Sequence, residues 1–187
     1  MDPGDAGYDA DNLYRNSLAE YWLPDVDEWY KAAYYDPDTE TYFEYPTGSN
    51  TEPTSVPGGT GEGTAVFGQD FGTGPADVDN AGGLSPYGVM GLGGNVWEWE
   101  ETATDLLNDS TTENRAYRGG SWSNSVGNLR PTTRLSEKPS VGVFLTGLRV
   151  AGAVPVATIP EPSTFLAMWL LGGFAMLIRK RRRVAVT

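Results

Sequence analysis

The chain of 187 residues contains no cysteine and no histidine. Without cysteine it can form no disulfide, no thiolate nucleophile and no cysteine-based zinc site. Without histidine it has no imidazole base and no histidine-bound iron or copper. Carboxylate acid–base chemistry and hard-cation sites built from oxygen ligands are the options that remain. The lack of cysteine does not decide whether the protein works inside or outside the cytoplasm, because an exported protein with a sufficient core needs no disulfides.

Basic side chains are scarce over most of the chain. Lys and Arg number 13 against 25 Asp and Glu, which gives a net charge of -12. Five of the basic residues lie together at positions 179–183, so residues 1–160 hold 8 basic and 24 acidic side chains, a balance of -16. Such a body repels phosphate backbones, because nucleic-acid affinity depends on cationic contacts. The sequence therefore predicts no nucleic-acid partner.

Charge is absent from residues 165–178, and five cations follow at once: Arg179, Lys180, Arg181, Arg182 and Arg183. A helix over this run would span about 21 Å, which is short of a hydrocarbon core of ~30 Å. A core helix gains nothing from five consecutive cations, whereas cytoplasmic Lys and Arg orient membrane segments and extend short spans by snorkelling. We therefore predict one C-terminal transmembrane helix and an Arg-rich tail at 164–187, with residues 1–160 outside the cytoplasm.

A proline-flanked glutamate, Pro160-Glu161-Pro162, precedes this run at the end of a linker over 152–163. In this order, the motif, the apolar helix and the basic cluster resemble the PEP-CTERM sorting signal of Gram-negative bacteria. The resemblance implies an exosortase-type transpeptidase as partner, which cuts near the motif. It also implies passage from the inner membrane to the cell envelope, the surface or the extracellular matrix.

The N-terminus does not match an export signal. A signal peptide needs a basic start and an apolar stretch of roughly 7 to 15 residues. The first nine residues, MDPGDAGYD, offer neither. We expect that the reading frame begins upstream or that the chain was cut from a longer precursor.

Regular structure is expected to be sparse. Asp25 and Glu28 have the spacing of a capping box, which predicts a helix within 22–35 that ends at Asp36-Pro37. Residues 46–94 contain 14 Gly and 5 Pro, a composition typical of turns and irregular loops. Short strands are predicted at 96–100, 116–118 and 143–150.

Five segments in fixed order carry a family resemblance. They are LPDVDEWYKAA at 23–33, SPYG at 85–88, GNVWEW at 94–99, RGGSW at 118–122 and GLRVA at 147–151. Together they resemble the formylglycine-generating-enzyme, or sulfatase-modifying-factor, domain over residues 22–151. The resemblance implies an α+β fold, C-type-lectin-like and poor in regular secondary structure. Residues 1–21 then correspond to an acidic remnant of an incomplete domain start.

The resemblance also implies a catalytic site that this chain cannot fill. The family's oxidases hold copper with two cysteines, and the first of these falls at Asn124. The second falls near Asn128 or Leu129, and a sister branch uses histidine-bound iron. Because the chain has neither cysteine nor histidine, the sequence predicts no formylglycine-generating activity, no catalytic residues and a pseudoenzyme.

Calcium is the cofactor that the resemblance implies. The matching glutamate, Glu98, would bind it together with the backbone carbonyls of Gly94 and Val96. A side-chain oxygen expected at position 91 is absent, because that residue is Gly91, and the loss of a ligand weakens a calcium site. The alternative is that Glu98 hydrogen-bonds loop amides.

Other motif residues also have two interpretations. Glu98 and Glu100 would share one face of a strand, near Glu101, and could form a carboxylate pair for hydrolysis or a solvated acidic edge. The motif tryptophans could stack on sugar rings, although packing in the core is the commoner role: Trp97, Trp99 and Trp122.

Four arginines are interpreted as structural. We expect them to bind buried loop carbonyls and carboxylates rather than an anionic ligand: Arg118, Arg130, Arg134 and Arg149.

The sequence thus predicts a non-catalytic envelope or surface protein, a binding or matrix module sorted by its C-terminal signal. Its expected partners, besides the transpeptidase and the membrane, are exopolysaccharide or surface proteins. The alternatives are a carboxylate- or metal-dependent enzyme on the same fold, and a truncated gene product without independent function.

Overall fold

The structure is a computed structural model that describes residues 2–153. Within these residues the chain forms one α-helix and ten short strands. The strands are β1 (Tyr21–Trp22), β2 (Tyr35–Asp36), β3 (Thr41–Tyr42), β4 (Thr54–Ser55), β5 (Thr64–Ala65), β6 (Trp97–Ala103), β7 (Arg115–Arg118), β8 (Leu135–Glu137), β9 (Thr146–Gly147) and β10 (Ala151–Gly152). The prediction of a mixed α+β fold with little regular structure is confirmed. Its relation to C-type lectins and the domain boundaries stay predictions.

The predicted transmembrane helix and the sorting motif, at 160–187, lie outside the described residues. Over the described range, none of the helices combines the length and the apolar character needed to cross a membrane.

Helix α1 (Val26–Tyr34) begins at the predicted capping box. The Asp25 carboxylate accepts hydrogen bonds from the backbone N–H groups of Asp27 and Glu28, and the Glu28 side chain accepts one from the Asp25 N–H. The helix ends at Tyr34, before the predicted stop at Asp36-Pro37, because residues 35–36 already form β2 against β3. Its buried face consists of Trp29, Ala33 and Tyr34.

A four-stranded sheet in the order β8-β7-β6-β9 forms the centre of the fold. β7 pairs antiparallel with β6 and β8, while β9 runs parallel to β6. The predicted strand at 96–100 extends to Ala103, and the one at 116–118 is confirmed. The strand predicted over 143–150 is wrong except at Thr146–Gly147, because Leu145 has a φ of 84° and interrupts the extended backbone.

The Gly94-Asn95 pair connects the irregular region to this sheet. Gly94 has a φ of 78°, and a β-carbon there would overlap the carbonyl oxygen of Val66. Asn95 has a φ of 64°, and its side-chain amide bonds both the N–H and the carbonyl of Ala76, at 2.8 and 3.2 Å. The loops therefore follow a fixed path despite their few strands.

Two buried clusters form the hydrophobic core. The first lies under α1 and contains Trp29, Ala33, Tyr34 and Leu92. The second lies under the irregular region and contains Tyr45, Ala65, Phe67 and Leu129. The aromatic members supply much of the buried apolar area, which compensates for the small number of regular elements.

Replacing Asp25 with Ala should destabilise the protein by about 1 kcal/mol, because two N–H groups of the first turn of α1 lose their acceptor. Thermal unfolding should then begin roughly 2–4 °C lower for a chain of this size. Asp27→Ala is the matched control, since Asp27 lies in the same turn but does not cap. Equal shifts in the two variants would contradict the role of the cap.

Candidate functional site

Three carboxylates on β6, which we call the acidic triplet, are almost fully buried. Glu98, Glu100 and Glu101 are 5%, 1% and 5% exposed. Buried carboxylates persist as charges only when cations and N–H donors surround them. In this protein each carboxylate has its own arginine partner, and the arginines come from distant parts of the chain.

Glu98 is held by Arg149 and Trp29. Arg149 donates from Nε to Oε2 at 3.0 Å and from Nη2 to Oε1 at 2.8 Å, which is a bidentate pair. The indole N–H of Trp29 donates to Oε2 at 2.8 Å. Both carboxylate oxygens therefore accept hydrogen bonds, as the predicted alternative to calcium binding requires. The donors are a guanidinium and an indole rather than the expected loop amides.

A calcium ion at Glu98 would have to share this carboxylate with the guanidinium of Arg149, and two adjacent cations repel each other. Gly94 and Val96, the other two predicted ligands, lie in the segment that leads into β6. Calcium at this position stays a prediction.

Glu100 binds two arginines. Arg118 lies 2.5 Å from Oε1 through Nε, and Arg134 donates from Nε to Oε2 at 2.9 Å. The same arginines also donate to the carbonyls of Pro131 and Ala103, at 2.7 and 3.1 Å. Glu98 and Glu100 are thus separate ion pairs rather than the solvated edge that was one of the two predicted alternatives.

Glu101 binds the N-terminal segment. Arg15 donates from Nε to Oε2 at 2.6 Å, and Asn12 donates to Oε1 at 2.7 Å. Arg15 also donates to Glu28 at 2.8 Å. Burial opposes the charged form of Arg15, but these bonds to Glu28 and Glu101 raise its pKa. Burial also opposes the charged form of Glu28, and the bond from Arg15 lowers the pKa of that carboxyl.

The interpretation of Arg118, Arg134 and Arg149 as structural is confirmed, whereas the expectation of a buried acceptor is wrong for Arg130. Arg118, Arg134 and Arg149 bind carboxylates of the acidic triplet and loop carbonyls, while Arg130 binds the exposed Glu44 at 3.1 Å. Arg15 has the same role, and the sequence did not single it out, since no local pattern connects residue 15 to residue 101.

The three motif tryptophans differ in their exposure. Trp97 and Trp122 are each 4% exposed and pack in the core, as predicted, whereas Trp99 is partly exposed. Trp122 lies against two exposed rings, Phe71 and Phe144, which are 60% and 72% exposed. Sequence reasoning missed both phenylalanines, because they lie outside the motifs and are 73 positions apart.

The positions that correspond to the copper ligands have structural roles. The side-chain oxygen of Asn124 accepts hydrogen bonds from the backbone N–H and the hydroxyl of Ser121, at 2.9 and 2.7 Å. Leu129 is fully buried in the core. Among residues 2–153 no three His, Cys, Asp or Glu side chains are grouped to hold a metal ion. The residues at this position therefore do not fit a copper or iron centre.

Comparison with known proteins gives relatives that are enzymes. The chain is 29% identical over 170 residues to hercynine oxygenase of Mycolicibacterium smegmatis, covering 80% of this chain and 38% of the relative. It is 30% identical over 142 residues to hercynine oxygenase of Mycobacterium tuberculosis, covering 69% and 32%. The chain thus spans about a third of the length of these relatives.

These relatives contradict the prediction that the protein is not an enzyme. That prediction relied on the missing cysteines and histidines, which exclude particular metal sites and not catalysis as such. Relatives named as oxygenases at about 30% identity point instead to enzymatic activity in this family.

Replacing Arg149 with Met should destabilise the protein by about 3 kcal/mol, because Glu98 would remain as a buried charge without its cation. We place the loss at the low end of the range for buried pairs, since the Arg149 side chain is 26% exposed. Arg130→Met is the control, because its partner Glu44 is exposed, and it should cost less than about 1 kcal/mol. Similar losses measured by chemical unfolding would contradict the importance of burial.

Calcium should raise the melting temperature modestly if it binds at Glu98, and Glu98→Gln should abolish that rise. Glu44→Gln, which removes an exposed carboxylate, is the control and should leave the rise intact. The absence of a rise in the unmodified protein, measured against magnesium at equal concentration, would leave Glu98 solely as the partner of Arg149 and Trp29.

One comparison shows the fold, and another shows the family. The structure superposes on Treponema denticola variable protein 1 with a TM-score of 0.50 and 22% identity, over 71% of this chain and 47% of that one, a likeness of fold. Residues 7–154, more than half of the chain, match the family model described as the sulfatase-modifying factor enzyme 1-like domain. The five predicted motif segments lie within this range. The chain therefore belongs to the sulfatase-modifying factor enzyme 1-like domain family.

Proposed function

We propose that this protein is an envelope-sorted member of the family that binds polysaccharide through one exposed aromatic surface. This aromatic surface consists of the exposed rings of Phe71 and Phe144, which pack on the buried ring of Trp122. The observation that carries the proposal is that both phenylalanines are more than half exposed while they remain packed against a buried tryptophan. Clustered exposed apolar residues in soluble domains commonly mark binding sites.

The three rings form one packed cluster, in which the two phenylalanine rings are the exposed members. The ring centroids of Phe71 and Phe144 are 5.5 Å apart, and those of Phe71 and Trp122 are 6.2 Å apart. The indole N–H of Trp122 donates to the carbonyl oxygen of Phe71 at 3.2 Å, which ties the exposed ring to the core. A surface fixed in this way loses little conformational entropy when it binds a flat apolar face, such as one side of a sugar ring.

The position of the aromatic surface also supports a ligand site. Trp122 ends the RGGSW motif, and Asn124, two residues further, corresponds to a copper ligand in the family resemblance. The surface thus lies beside the position where the resemblance places a metal ligand that this chain does not have. One fold can support several functions, so a ligand surface can be present there without the metal.

Charge favours neutral polysaccharides over acidic ones. Residues 1–160 have a balance of -16, and five of their arginines are already paired with carboxylates. Like charges in the ligand would be repelled at low ionic strength. We therefore propose neutral exopolysaccharide as the partner.

A second candidate function is an enzyme that acts on the ligand held at the same surface. The similarity to hercynine oxygenases favours it. Because the chain has no cysteine or histidine, proton transfer would depend on carboxylates. The acidic triplet is bound to arginines, whereas Asp70, next to Phe71, is exposed and able to meet a bound ligand.

Sorting and anchoring are the remaining parts of the proposal. We propose that residues 164–187 insert into the inner membrane as a temporary anchor, with Arg179–Arg183 on the cytoplasmic side. An exosortase-type transpeptidase then cuts near Pro160-Glu161-Pro162 and transfers the domain to the cell envelope. The order of these segments in the sequence supports this proposal.

Replacing Phe71 and Phe144 together with Ala should weaken binding to neutral polysaccharide about tenfold or more, because two stacking rings of the aromatic surface are removed. Affinity electrophoresis in gels that contain xyloglucan, with alginate as the acidic comparison, measures the change. Tyr87→Ala is the control, since Tyr87 is exposed but lies outside the aromatic surface.

Three outcomes of this experiment are informative. Unchanged migration of the double variant would contradict the aromatic surface as the binding site. Stronger binding to alginate than to xyloglucan would contradict the electrostatic argument. Release of oligosaccharides or oxidised sugars that depends on Asp70 would favour the second candidate, an enzyme.

In a host with the sorting machinery, a chain supplied with a signal peptide should lose about 2 to 3 kDa when the tail is removed, given 20.2 kDa over 187 residues. Changing Arg179–Arg183 to Gln should leave the precursor uncut, whereas changing all five to Lys should preserve cleavage, because the positive charge is kept. Altering Pro160-Glu161-Pro162 should block cleavage without releasing the protein from the membrane.

Mass spectrometry of the mature protein decides this prediction. A mature chain that retains Arg183 would identify a permanent anchor and overturn the proposed sorting signal.

A further inference from the structure

A cleft of about 350 Å³, which we call the arginine cleft, lies between the N-terminal segment and the central sheet. Its walls come from residues 14–23, from β6 and β7, and from two residues of the C-terminal loops, Pro139 and Leu148. Most of its surface is apolar, and it is separate from the aromatic surface, which shares no residue with it. The volume is in the range of sites that hold small organic ligands.

One wall of the arginine cleft holds a buried arginine without a partner for two of its nitrogens. Arg115 is 4% exposed, and neither its Nε nor its Nη1 has a hydrogen-bond partner. Its third nitrogen, Nη2, makes a single contact of 3.4 Å with the carbonyl oxygen of Ser110. A buried guanidinium normally donates most of its five N–H groups, so Arg115 lacks acceptors.

Arg115 differs from the other arginines of the described part, because they all form ion pairs. Residues 2–153 contain six arginines, and five of them form ion pairs with carboxylates: Arg15, Arg118, Arg130, Arg134 and Arg149. Within that part, Arg115 is the arginine that forms none. Acidic residues outnumber basic ones threefold before position 161, and Glu137 lies opposite Arg115 in the pairing of β7 with β8. Even so, no carboxylate of residues 2–153 forms an ion pair with Arg115.

The surroundings of Arg115 hold the guanidinium in place without neutralising it. The Tyr14 ring stacks on one face, with its centroid 3.3 Å from the guanidinium carbon. Burial lowers the pKa of Arg115. Stacking covers the face of the guanidinium, whereas a carboxylate binds at its edge, so the unpartnered N–H groups still require an acceptor.

We propose that the arginine cleft binds a small molecule with an apolar, preferably aromatic, body and one carboxylate, and that the carboxylate pairs with Arg115. The ligand supplies the acceptors that the protein does not. Because Nε and Nη1 are out of contact with water, binding includes a shift of the Tyr14 side chain, which lies outside the helices and strands.

Charge sets the number of anionic groups in the ligand. The other charged residues of the cleft wall, Arg15, Glu100 and Glu101, all form ion pairs, so Arg115 is the charged residue of this wall that forms none. A single cation matches a monoanionic carboxylate, whereas a phosphate dianion would leave a negative charge beside two buried carboxylates.

The walls set the chemistry of the ligand body. Aromatic side chains dominate them: Tyr14, Tyr21, Trp22 and Trp99. The Trp22 ring is held by Arg15, whose guanidinium carbon lies 4.9 Å from the ring centroid, and Trp99 packs edge-on against Tyr117 at 5.1 Å. Rings fixed in this way favour offset or edge-to-face contact with an aromatic ligand.

The test compares matched ligands and matched arginines in the full chain, kept in one neutral detergent throughout. Indole-3-acetate and phenylacetate are the probes, and phenylacetamide and phenyl phosphate are their neutral and dianionic counterparts. Both carboxylates should raise the melting temperature, and calorimetry should detect their binding. The amide and the phosphate should bind at least about tenfold more weakly, because each lacks the matched charge.

Arg115→Met should abolish carboxylate binding without lowering the melting temperature of the free protein, because it removes buried N–H groups that have no partner. Arg118→Met is the matched control on the same strand. It breaks a pair with Glu100, so it should lower the melting temperature. This contrast separates a ligand-binding arginine from a structural one.

Two results would overturn the proposal. The first is carboxylate binding that is absent in the unmodified protein or unchanged in Arg115→Met. The second is a loss of stability in Arg115→Met as large as that in Arg118→Met, which would show that Arg115 has a protein partner in solution. Glu113, whose Oε2 is buried and also lacks a partner, is the residue to test in that event through Glu113→Gln.

Discussion

The burial of three carboxylates on one strand is the constraint on which this fold depends. Glu98, Glu100 and Glu101 lie within one short stretch of the central strand β6, where an unpaired charge would be strongly destabilising. Their arginines come from positions 15, 118, 134 and 149, so the ion pairs connect the N-terminal segment, the neighbouring strand and the two C-terminal loops to β6. A fold with ten strands of two to seven residues has few ladder hydrogen bonds, and these charged contacts fix the relative positions that longer strands would otherwise set.

The same pairing decides where chemistry can occur. The carboxylates of the acidic triplet are already bound to arginines of the same chain, so they are occupied by protein partners rather than open to a ligand. The features that remain for ligands are therefore outside the acidic triplet: an aromatic surface around Trp122 and a buried guanidinium on β7. The relatives are named as enzymes, and in this chain, which has no cysteine or histidine, proton transfer in any such chemistry would depend on other side chains.

Sequence reasoning succeeded where structure is local and failed where it depends on distant contacts. The capping box at Asp25 and Glu28 determines the start of α1 through bonds between residues three positions apart, so it could be read directly. The strand predicted over 143–150 failed, because Leu145 takes a positive φ and Arg149 turns toward Glu98, 51 positions away. No periodic pattern in the sequence indicates that Arg15 pairs with Glu101 or that Phe71 contacts Phe144.

Arg115 and Arg118 show how far such reasoning can be taken once contacts are known. Both lie on β7, both are less than a tenth exposed, and both stack near tyrosines, so burial does not distinguish them. The difference lies in the acceptors, since Arg118 meets Glu100 and the Pro131 carbonyl whereas Arg115 meets one distant carbonyl. A guanidinium cannot lose its proton to relieve burial, because its pKa lies far above neutral pH, and it therefore requires an acceptor from somewhere. Within residues 2–153 Arg115 forms no ion pair, even though Glu137 lies opposite it on β8, and it is the arginine whose acceptor we assign to a ligand.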